Sequence, residues 1–361
     1  MSKKRIRIKD IAVAAGVSAG TVDRVIHNRG NVKPAIEKKV RQVMQALDYQ
    51  PNILASTLAN NKVTRIGVVL PDHSQDAFWQ FPVIGIHEAL KVFSHFLLEI
   101  SYYYFDENNP QSFDNQATKV LEDSLDGLIL APIFSAEATR FLTELALVNT
   151  PVVLVNTHLP DTNKLTYIGQ DSYQSGILGA RLVSQTFHDQ ATYWLLHLEA
   201  EEKAANAVHI YQKEAGFFSY FNQKEAITIV KKSFNEEGKG ESLSEFLNTV
   251  WRTSPSPNGI FVSTSKAYQL VKILGPKIRD AVIVGFDLLP ENIQYLKSGA
   301  IDFIINQNPQ KQGYRAVESL VHHLLLKKEL PAVQYLPLDI VVKENVSYYF
   351  GSIRGSLRLP H

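Results

Sequence analysis

Cysteine is absent, and methionine occurs only twice in 361 residues. Without cysteine the chain can form no disulfide, no thiolate-ligated zinc or iron–sulfur cluster and no thiol nucleophile. No run of about 18 apolar residues occurs, so no membrane-spanning helix and no membrane partner are expected. Met1-Ser2-Lys3-Lys4-Arg5 is charged with no apolar stretch behind it, so a secretory leader is not expected either. The absence of disulfides fits a cytoplasmic location. Gly-x-Ser-x-Gly, His-Glu-x-x-His, the Walker loop and Gly-x-Gly-x-x-Gly are all missing. His322 and His323 are adjacent and so face different sides of a helix, which excludes an i,i+4 metal pair. No catalytic residue, metal site or cofactor is expected.

An excess of charge of one sign is also lacking, with 37 Lys/Arg against 36 Asp/Glu. The total conceals a division. Residues 1–62 hold twelve basic and four acidic residues, a balance of +8, which leaves 25 basic and 32 acidic residues for 63–361, a balance of −7. A small basic head on a larger acidic body suggests a polyanion-binding module joined to something else.

The head reads as helices only. Ile8, Ile11, Ala12 and Ala15 form one short apolar face, closed by Gly16. Ser18 is placed to cap a second helix in which Val22 and Val25 face inward. Pro34 opens a third, with Ile36, Val40, Val43 and Leu47 at helical spacing. Two helices across a Gly-Val-Ser turn have the helix-turn-helix layout, whose second helix lies in the major groove. Arg24 suits guanine, and the hydroxyls of Ser18 and Thr21 suit phosphate. A three-helix bundle with a solvated basic face is the plainer alternative.

The residues Lys9-Asp10-Ile11-Ala12-x-x-Ala15-Gly16-Val17-Ser18-x-x-Thr21-Val22-x-Arg24-Val25 resemble the head signature of the LacI/GalR family of bacterial repressors. Tyr49-x-Pro51-Asn52-x-x-Ala55-x-x-Leu58 resembles that family's hinge helix, and Ile66-Gly67-Val68-Val69 the start of its core. The resemblance implies base reading by Ala19, Gly20 and Arg24 and backbone contacts from Ser18, Thr21 and Asn31. It implies a hinge in which Leu58 wedges into the minor groove beside Ala55. Three positions depart from the family pattern: Asp23 and Lys33 replace serines, and Ser56 replaces an arginine. The implied partners are a double-stranded DNA operator, a small-molecule effector and a second copy of the chain; a tetramer stays open.

After Arg65–Leu70, strands and helices alternate. Strands are expected at 96–103, 126–130, 151–155, 165–169, 192–198, 226–231, 258–262, 281–285, 302–306 and 334–342. Such alternation means parallel sheets covered on both faces, and the strand number exceeds one open sheet. The fold class expected is an all-α helix-turn-helix head plus an α/β core of two doubly wound parallel-sheet subdomains, similar to type I periplasmic binding proteins. The divisions are 1–50 for the head, 51–62 for the hinge and 63–345 for the core, with 346–361 a tail. Within the core, one subdomain takes 63–160 and 307–329 and the other 161–306 and 332–345, crossing near Leu159-Pro160-Asp161.

Ligands of parallel sheets bind at the carboxyl ends of strands. Asp72, Phe78, Trp79, Asp106, Ala131-Pro132, Asn156, Gln170-Asp171, His197, Glu199, Asp287 and Gln307 fall there. An aromatic plate with Asp, Asn and Gln is the chemistry of sugar recognition. For Phe78 and Trp79 a core role stays open, and for Asp171 and Asp287 a helix-capping role. The resemblance implies pocket roles for Asp287 in Gly285-Phe286-Asp287, for Gln307 in Asn306-Gln307-x-Pro309-x-x-x-Gly313, and for Lys213 in Lys213-x-x-Gly216-Phe217, where the family has arginine. Gly169-x-Asp171-x-x-x-x-Gly176 matches the start of the second subdomain. Asp72, with Phe78-Trp79-Gln80 behind it, is more similar to ribose-type receptors. The function expected is a ligand-responsive transcriptional regulator whose effector is a sugar or sugar derivative. A sugar receptor without a DNA role is the alternative, and an enzyme on a sugar-binding scaffold a further one.

Overall fold

The computed structural model describes residues 6–26, 30, 32–47, 49, 63–185, 190–198, 207–222, 226–234, 242–253, 256–275 and 281–349. The chain forms two compact units, divided between Asn61 and Lys62. In the first, α1 (Ile8–Ala15), α2 (Ala19–Ile26) and α3 (Pro34–Ala46) close around Ile11, Ala12, Ala15, Val22, Val25 and Val40. Gly16 ends α1 at φ +64°, and the Val17 N–H returns to the Ala12 carbonyl at 3.0 Å. A left-handed residue followed by that bond is the ordinary glycine stop of a helix. At the other end of α1 the Asp10 carboxylate accepts from the Arg7 N–H at 2.7 Å.

The second unit opens with β1 (Thr64–Pro71), a 3₁₀ turn at Ala77–Trp79 and α4 (Gln80–Val92). β2 (Leu98–Phe105), α5 (Pro110–Glu122), β3 (Gly127–Leu130), α6 (Ser135–Leu147), β4 (Val152–Val155) and β5 (Thr166–Gly169) follow. Next come α7 (Ser172–Val183), β6 (Ala191–His197), α8 (Val208–Phe221), β7 (Ile227–Ser233), α9 (Leu243–Thr253) and β8 (Gly259–Val262). Then follow α10 (Ala267–Leu274), β9 (Val282–Phe286), α11 (Pro290–Ser298), β10 (Phe303–Asn306), α12 (Pro309–Leu324), β11 (Val333–Tyr335), β12 (Asp339–Val341) and a 3₁₀ turn at Val346–Tyr349.

Two sheets result, in the orders β2-β1-β3-β4-β5-β11 and β7-β6-β8-β9-β10-β12. The first five strands of each follow one layout, so the second sheet repeats the first. Burial alternates along the strands. Ile66, Val68, Leu70, Ile129 and Val153 enter one cluster, while Val69, Leu128, Leu130, Val152 and Leu154 enter another on the opposite face. In the second sheet Trp194, Leu196, Ile260 and Ile283 are likewise separated from Tyr193, Leu195, Phe261 and Val284. Both faces of each sheet are therefore covered, which is why the strands read as continuous apolar runs.

Four expectations are corrected. The chain does not cross between subdomains near Leu159-Pro160-Asp161: β5 still pairs with β4, and the crossing falls at Gln170–Asp171. The earlier segment is a local turn, closed by Lys164, whose Nζ donates to the carbonyls of Leu159 at 2.8 Å and Pro160 at 2.6 Å. The expected strand 334–342 is two strands in different sheets, so β11 belongs with the first subdomain. Leu336 still donates to the Gly169 carbonyl, but Pro337 has no N–H to extend the ladder, and the chain leaves the sheet there. β12 also runs antiparallel to β10, so the second sheet is not wholly parallel. The expected tail begins inside the fold, because Val346 is buried in the second subdomain's core.

Candidate DNA-binding and effector sites

In the head, Val22 and Val25 hold one face of α2 in the core, and Ser18, Ala19, Gly20 and Arg24 are exposed around its first turns. Thr21 is half-buried. Ser18 caps α2: its Oγ accepts from the Thr21 N–H at 3.1 Å and lies 2.9 Å from the Thr21 hydroxyl. Two unbulky residues and an arginine at an exposed helix N-terminus allow close approach to a polyanion, with the helix dipole favouring it. Asn31, Ala55, Leu58 and the hinge segment 51–62 lie outside the described residues.

In the body, the positions that follow equivalent strands of the two sheets correspond. Gln170 follows β5 and Gln307 follows β10, and their side chains meet: Gln170 Nε2 donates to Gln307 Oε1 at 2.7 Å. Gln307 Nε2 in turn donates to Asp287 Oδ2 at 2.7 Å. Gln312 of α12 adds to the chain, its Nε2 donating to the Gln307 carbonyl and its Oε1 accepting from the Asn156 N–H. Asn156 and Asp287 follow β4 and β9, and both take left-handed backbone, φ +66° and +63°. Asparagine and aspartate tolerate that region better than other residues with a Cβ. Each therefore turns the chain sharply at a strand's carboxyl end.

Asp287 is only 1% exposed. Burial pushes its carboxyl up to about 6, against the pull of the Gln307 hydrogen bonds and the Lys213 ammonium; Asp76 pushes in the same direction as burial. Lys213, 2% exposed, donates from Nζ to the Ser263 carbonyl at 2.9 Å and lies 3.7 Å over the Phe286 ring. The ring face and the carbonyl dipole both favour a cation there. Beside it His197 Nδ1 lies 2.6 Å from Ser263 Oγ and Nε2 lies 3.2 Å from Glu214 Oε2. Burial holds the imidazole below its usual range, against the pull of Glu214. Ser–His–Glu is also the outline of an activated nucleophile. Here the Ser263 side chain has no exposed surface and its carbonyl is bonded to Lys213, so the set orients the ammonium.

The subdomains meet at two further points. Phe78 and Trp79 are buried in the first subdomain's cluster together with Leu289, which follows β9, and with Tyr268 of α10 packed on it. The Trp79 indole donates to Glu107 at 3.3 Å, which fixes its ring. The Thr157 hydroxyl is hydrogen-bonded to His209 Nδ1 at 3.1 Å.

The structure thus brings Asn156, Lys213, Asp287 and Gln307 into one neighbourhood, and places Phe78 and Trp79 where the subdomains touch. It does not bring Asp72, Asp106 or Asp171 to that neighbourhood. Their carboxylates close local turns on the N–H groups of Ser74, Asn108 and Gln174, and Asp171 caps α7. The sequence marks Gln170 only as a strand-end residue, and Gln312, Asp76, Glu214, Ser263 and Tyr268 are not chosen from it. One signal for Gln170 was available. Ile168-Gly169-Gln170-Asp171 followed by Gly176 and Ile305-Asn306-Gln307-Asn308 followed by Gly313 are the same pattern, 137 residues apart. Among the described residues no group of three His, Asp or Glu is placed to hold a metal. Among those residues no helix is long and apolar enough to cross a membrane.

A helix-turn-helix head and a two-subdomain α/β body with a polar cluster between its sheets define a DNA-binding unit joined to a small-molecule sensor. Residues 7–52 match the bacterial regulatory proteins of the lacI family, and residues 66–329 match the periplasmic binding protein domain. The chain belongs to the periplasmic binding protein domain family, whose match spans most of it, and carries a lacI-family helix-turn-helix domain at its head. It is 27% identical over 294 residues to catabolite control protein A of Priestia megaterium, covering 78% of this chain and 82% of that one. It is 25% identical over 345 residues to the ribose operon repressor of Halalkalibacterium halodurans, covering 93% and 96%. The crystal structure of a candidate LacI transcriptional regulator from Bacteroides fragilis superposes with a TM-score of 0.74 at 26% identity, covering 80% of this chain and all of that one.

Proposed function

We propose that the protein is a repressor that binds a pseudo-palindromic operator as a homodimer and is controlled by a sugar or sugar derivative held between its two body subdomains. The observation that carries this reading is the Gln170–Gln307–Asp287 chain. It sets a buried carboxylate and two amides at the carboxyl ends of strands of both sheets, near two of the three points where the chain crosses, with the Lys213 ammonium of α8 acting on the carboxylate. Carboxylates and amides that accept from and donate to neighbouring hydroxyls, with apolar rings nearby, suit a polyol better than an apolar ligand. The ribose operon repressor among the relatives supports a carbohydrate.

A two-fold dimer presents two recognition helices, each α2 reading one half-site through Ala19, Gly20 and Arg24, with Ser18, Thr21 and Asn31 on the backbone and Ala55 and Leu58 in the hinge. Such a regulator works in the cytoplasm and needs no chemistry on its ligand. A receptor without a DNA role leaves the match of residues 7–52 unexplained.

The test is selection of genomic fragments on the purified protein, followed by gel-shift titration with D-ribose, D-allose and myo-inositol. A fragment with an inverted repeat, bound by two chains and released or tightened by one of these compounds, is expected. Failure to select any fragment would sink the repressor reading.

A further inference from the structure

The Gln170–Gln307–Asp287 chain has a direction, and the direction describes the ligand. An ionised carboxylate only accepts hydrogen bonds. Asp287 therefore requires Gln307 to turn its NH₂ toward Oδ2, which leaves Gln307 Oε1 to face Gln170. Gln170 must then present its own NH₂ to Gln307. The polarity ends on Gln170 Oε1, a buried acceptor that meets no donor among the described residues, on a residue only 2% exposed. Buried acceptors left unpaired are rare and costly in folded proteins, so this oxygen calls for a donor that arrives from elsewhere.

The charges nearby carry the same message. Among the described residues, the charged groups that act on Asp287 are the carboxylate of Asp76, which opposes its ionisation, and the ammonium of Lys213. Lys213 is already held by the Ser263 carbonyl and the Phe286 ring. Glu214, adjacent to Lys213 in the chain, adds another carboxylate, paired with Lys231 at 2.8 Å and with His197. A phosphate monoester would bring two negative charges and only acceptor oxygens next to Asp287 and Asp76, where charges are poorly screened. A hydroxyl brings both a donor and an acceptor and no charge.

We infer that the effector is an uncharged sugar or polyol, without phosphate or carboxylate, and that one of its hydroxyls donates to Oε1 of Gln170. This rests on the carbohydrate reading above and narrows it.

The test is calorimetric titration of the full chain with D-ribose, D-allose, D-galactose and myo-inositol, and in parallel with ribose 5-phosphate, allose 6-phosphate, galactose 6-phosphate, inositol monophosphate and D-gluconate. At least one neutral compound is expected to bind, with its phosphate ester at least 100-fold weaker. With the neutral ligand found, Gln170→Leu should weaken binding about 10-fold or more. The deoxy derivative lacking the donating hydroxyl should bind the wild type and Gln170→Leu equally. That equality separates a ligand contact from a merely structural glutamine. If Gln170→Leu does not fold, Gln170→Met, of similar length and without the acceptor, replaces it, and the ester comparison needs only the wild type. An ester or gluconate that binds as tightly as the neutral compounds overturns the charge inference and leaves the carbohydrate reading standing. Affinity unchanged in the variant overturns the role of Gln170. No binding by any compound of either series overturns the carbohydrate reading, and this inference with it.

Discussion

A single carboxylate concentrates most of the chemistry of the body. Asp287 is buried and its pKa is raised to about 6 from an ordinary 3.8. Between those values the folded body keeps a proton that the unfolded chain has lost. The group's contribution to stability is therefore largest below about pH 4, falls as pH rises toward 6, and is level above it. Asp287→Asn should remove that dependence while keeping an acceptor for Gln307, so thermal melting of the variant between pH 4 and 7.5 should show a flatter profile than the wild type. Ligand hydroxyls donate more strongly to the ionised form. Sugar affinity measured by calorimetry should therefore fall as pH drops below about 6 in the wild type. In Asp287→Asn affinity should be lower throughout and independent of pH in that range. Arg24 makes the matching prediction for the head. It is exposed on the face of α2 opposite Val22 and Val25. Arg24→Ala should cost about 1–3 kcal/mol of discrimination at one base pair of each half-site and leave sugar affinity unchanged, as read by competition gel shifts and calorimetry.

Between helices, the repeat of the two sheets extends to a pair of close crossings. α4 meets α12 through Gly85 and Gly313, and α7 meets α8 through Gly176 and Gly216. A Cβ on Gly176 would lie 1.9 Å from the Lys213 carbonyl oxygen, and one on Gly313 would lie 2.0 Å from that of Pro82. Neither neighbour is a flexible side-chain tip, so the backbones must separate. Gly176→Ala should cost roughly 1–3 kcal/mol, a drop in melting temperature of roughly 2–10 °C for a body of this size. It should also weaken sugar binding, because Lys213 sits on the displaced helix. Gly313→Ala should destabilise to a similar degree with a smaller effect on the Lys213 environment. Equal melting temperatures for wild type and Gly176→Ala would contradict the crossing geometry.

For the whole chain, the division of charge acquires a meaning. Met1–Asn61, the unit that carries α2, holds eleven basic and four acidic residues, a balance of +7, and Lys62–His361, the unit that carries the Gln170–Gln307–Asp287 cluster, holds 26 basic and 32 acidic residues, a balance of −6. Removing residues 1–62 should abolish operator binding and leave sugar affinity unchanged, because no residue of the polar cluster lies in that segment. Operator affinity of the intact chain should fall by about 10³–10⁵-fold between 50 and 200 mM salt if a dimer makes about 6–10 phosphate contacts. Sugar affinity should barely respond to the same change, since an uncharged ligand displaces no counterions.

What the sequence determined by itself was local in origin. Helix periodicity, the Gly16 stop, the Ser18 cap and the apolar strand runs are written within a few neighbouring residues, and from them the three head helices and nearly every strand of the body could be read. Gln307 and Asp287 were legible because each ends such a run. What the tertiary structure alone decided were relations between distant segments. Whether β5 joins the first sheet or the second depends on which strand edge is free beside it, and Leu159-Pro160-Asp161 looked like a crossing because turn chemistry does not reveal where a turn leads. Asp72, Asp106 and Asp171 end strands just as Asp287 does, yet each finds an N–H two or three residues on, while Asp287 finds Gln307, twenty residues away. The unpaired oxygen of Gln170 arises only when a side chain 137 residues away claims its NH₂ group. Hydrogen-bond polarity and burial are properties of such assembled neighbourhoods, so the demand that the site makes on its ligand emerges only with the fold.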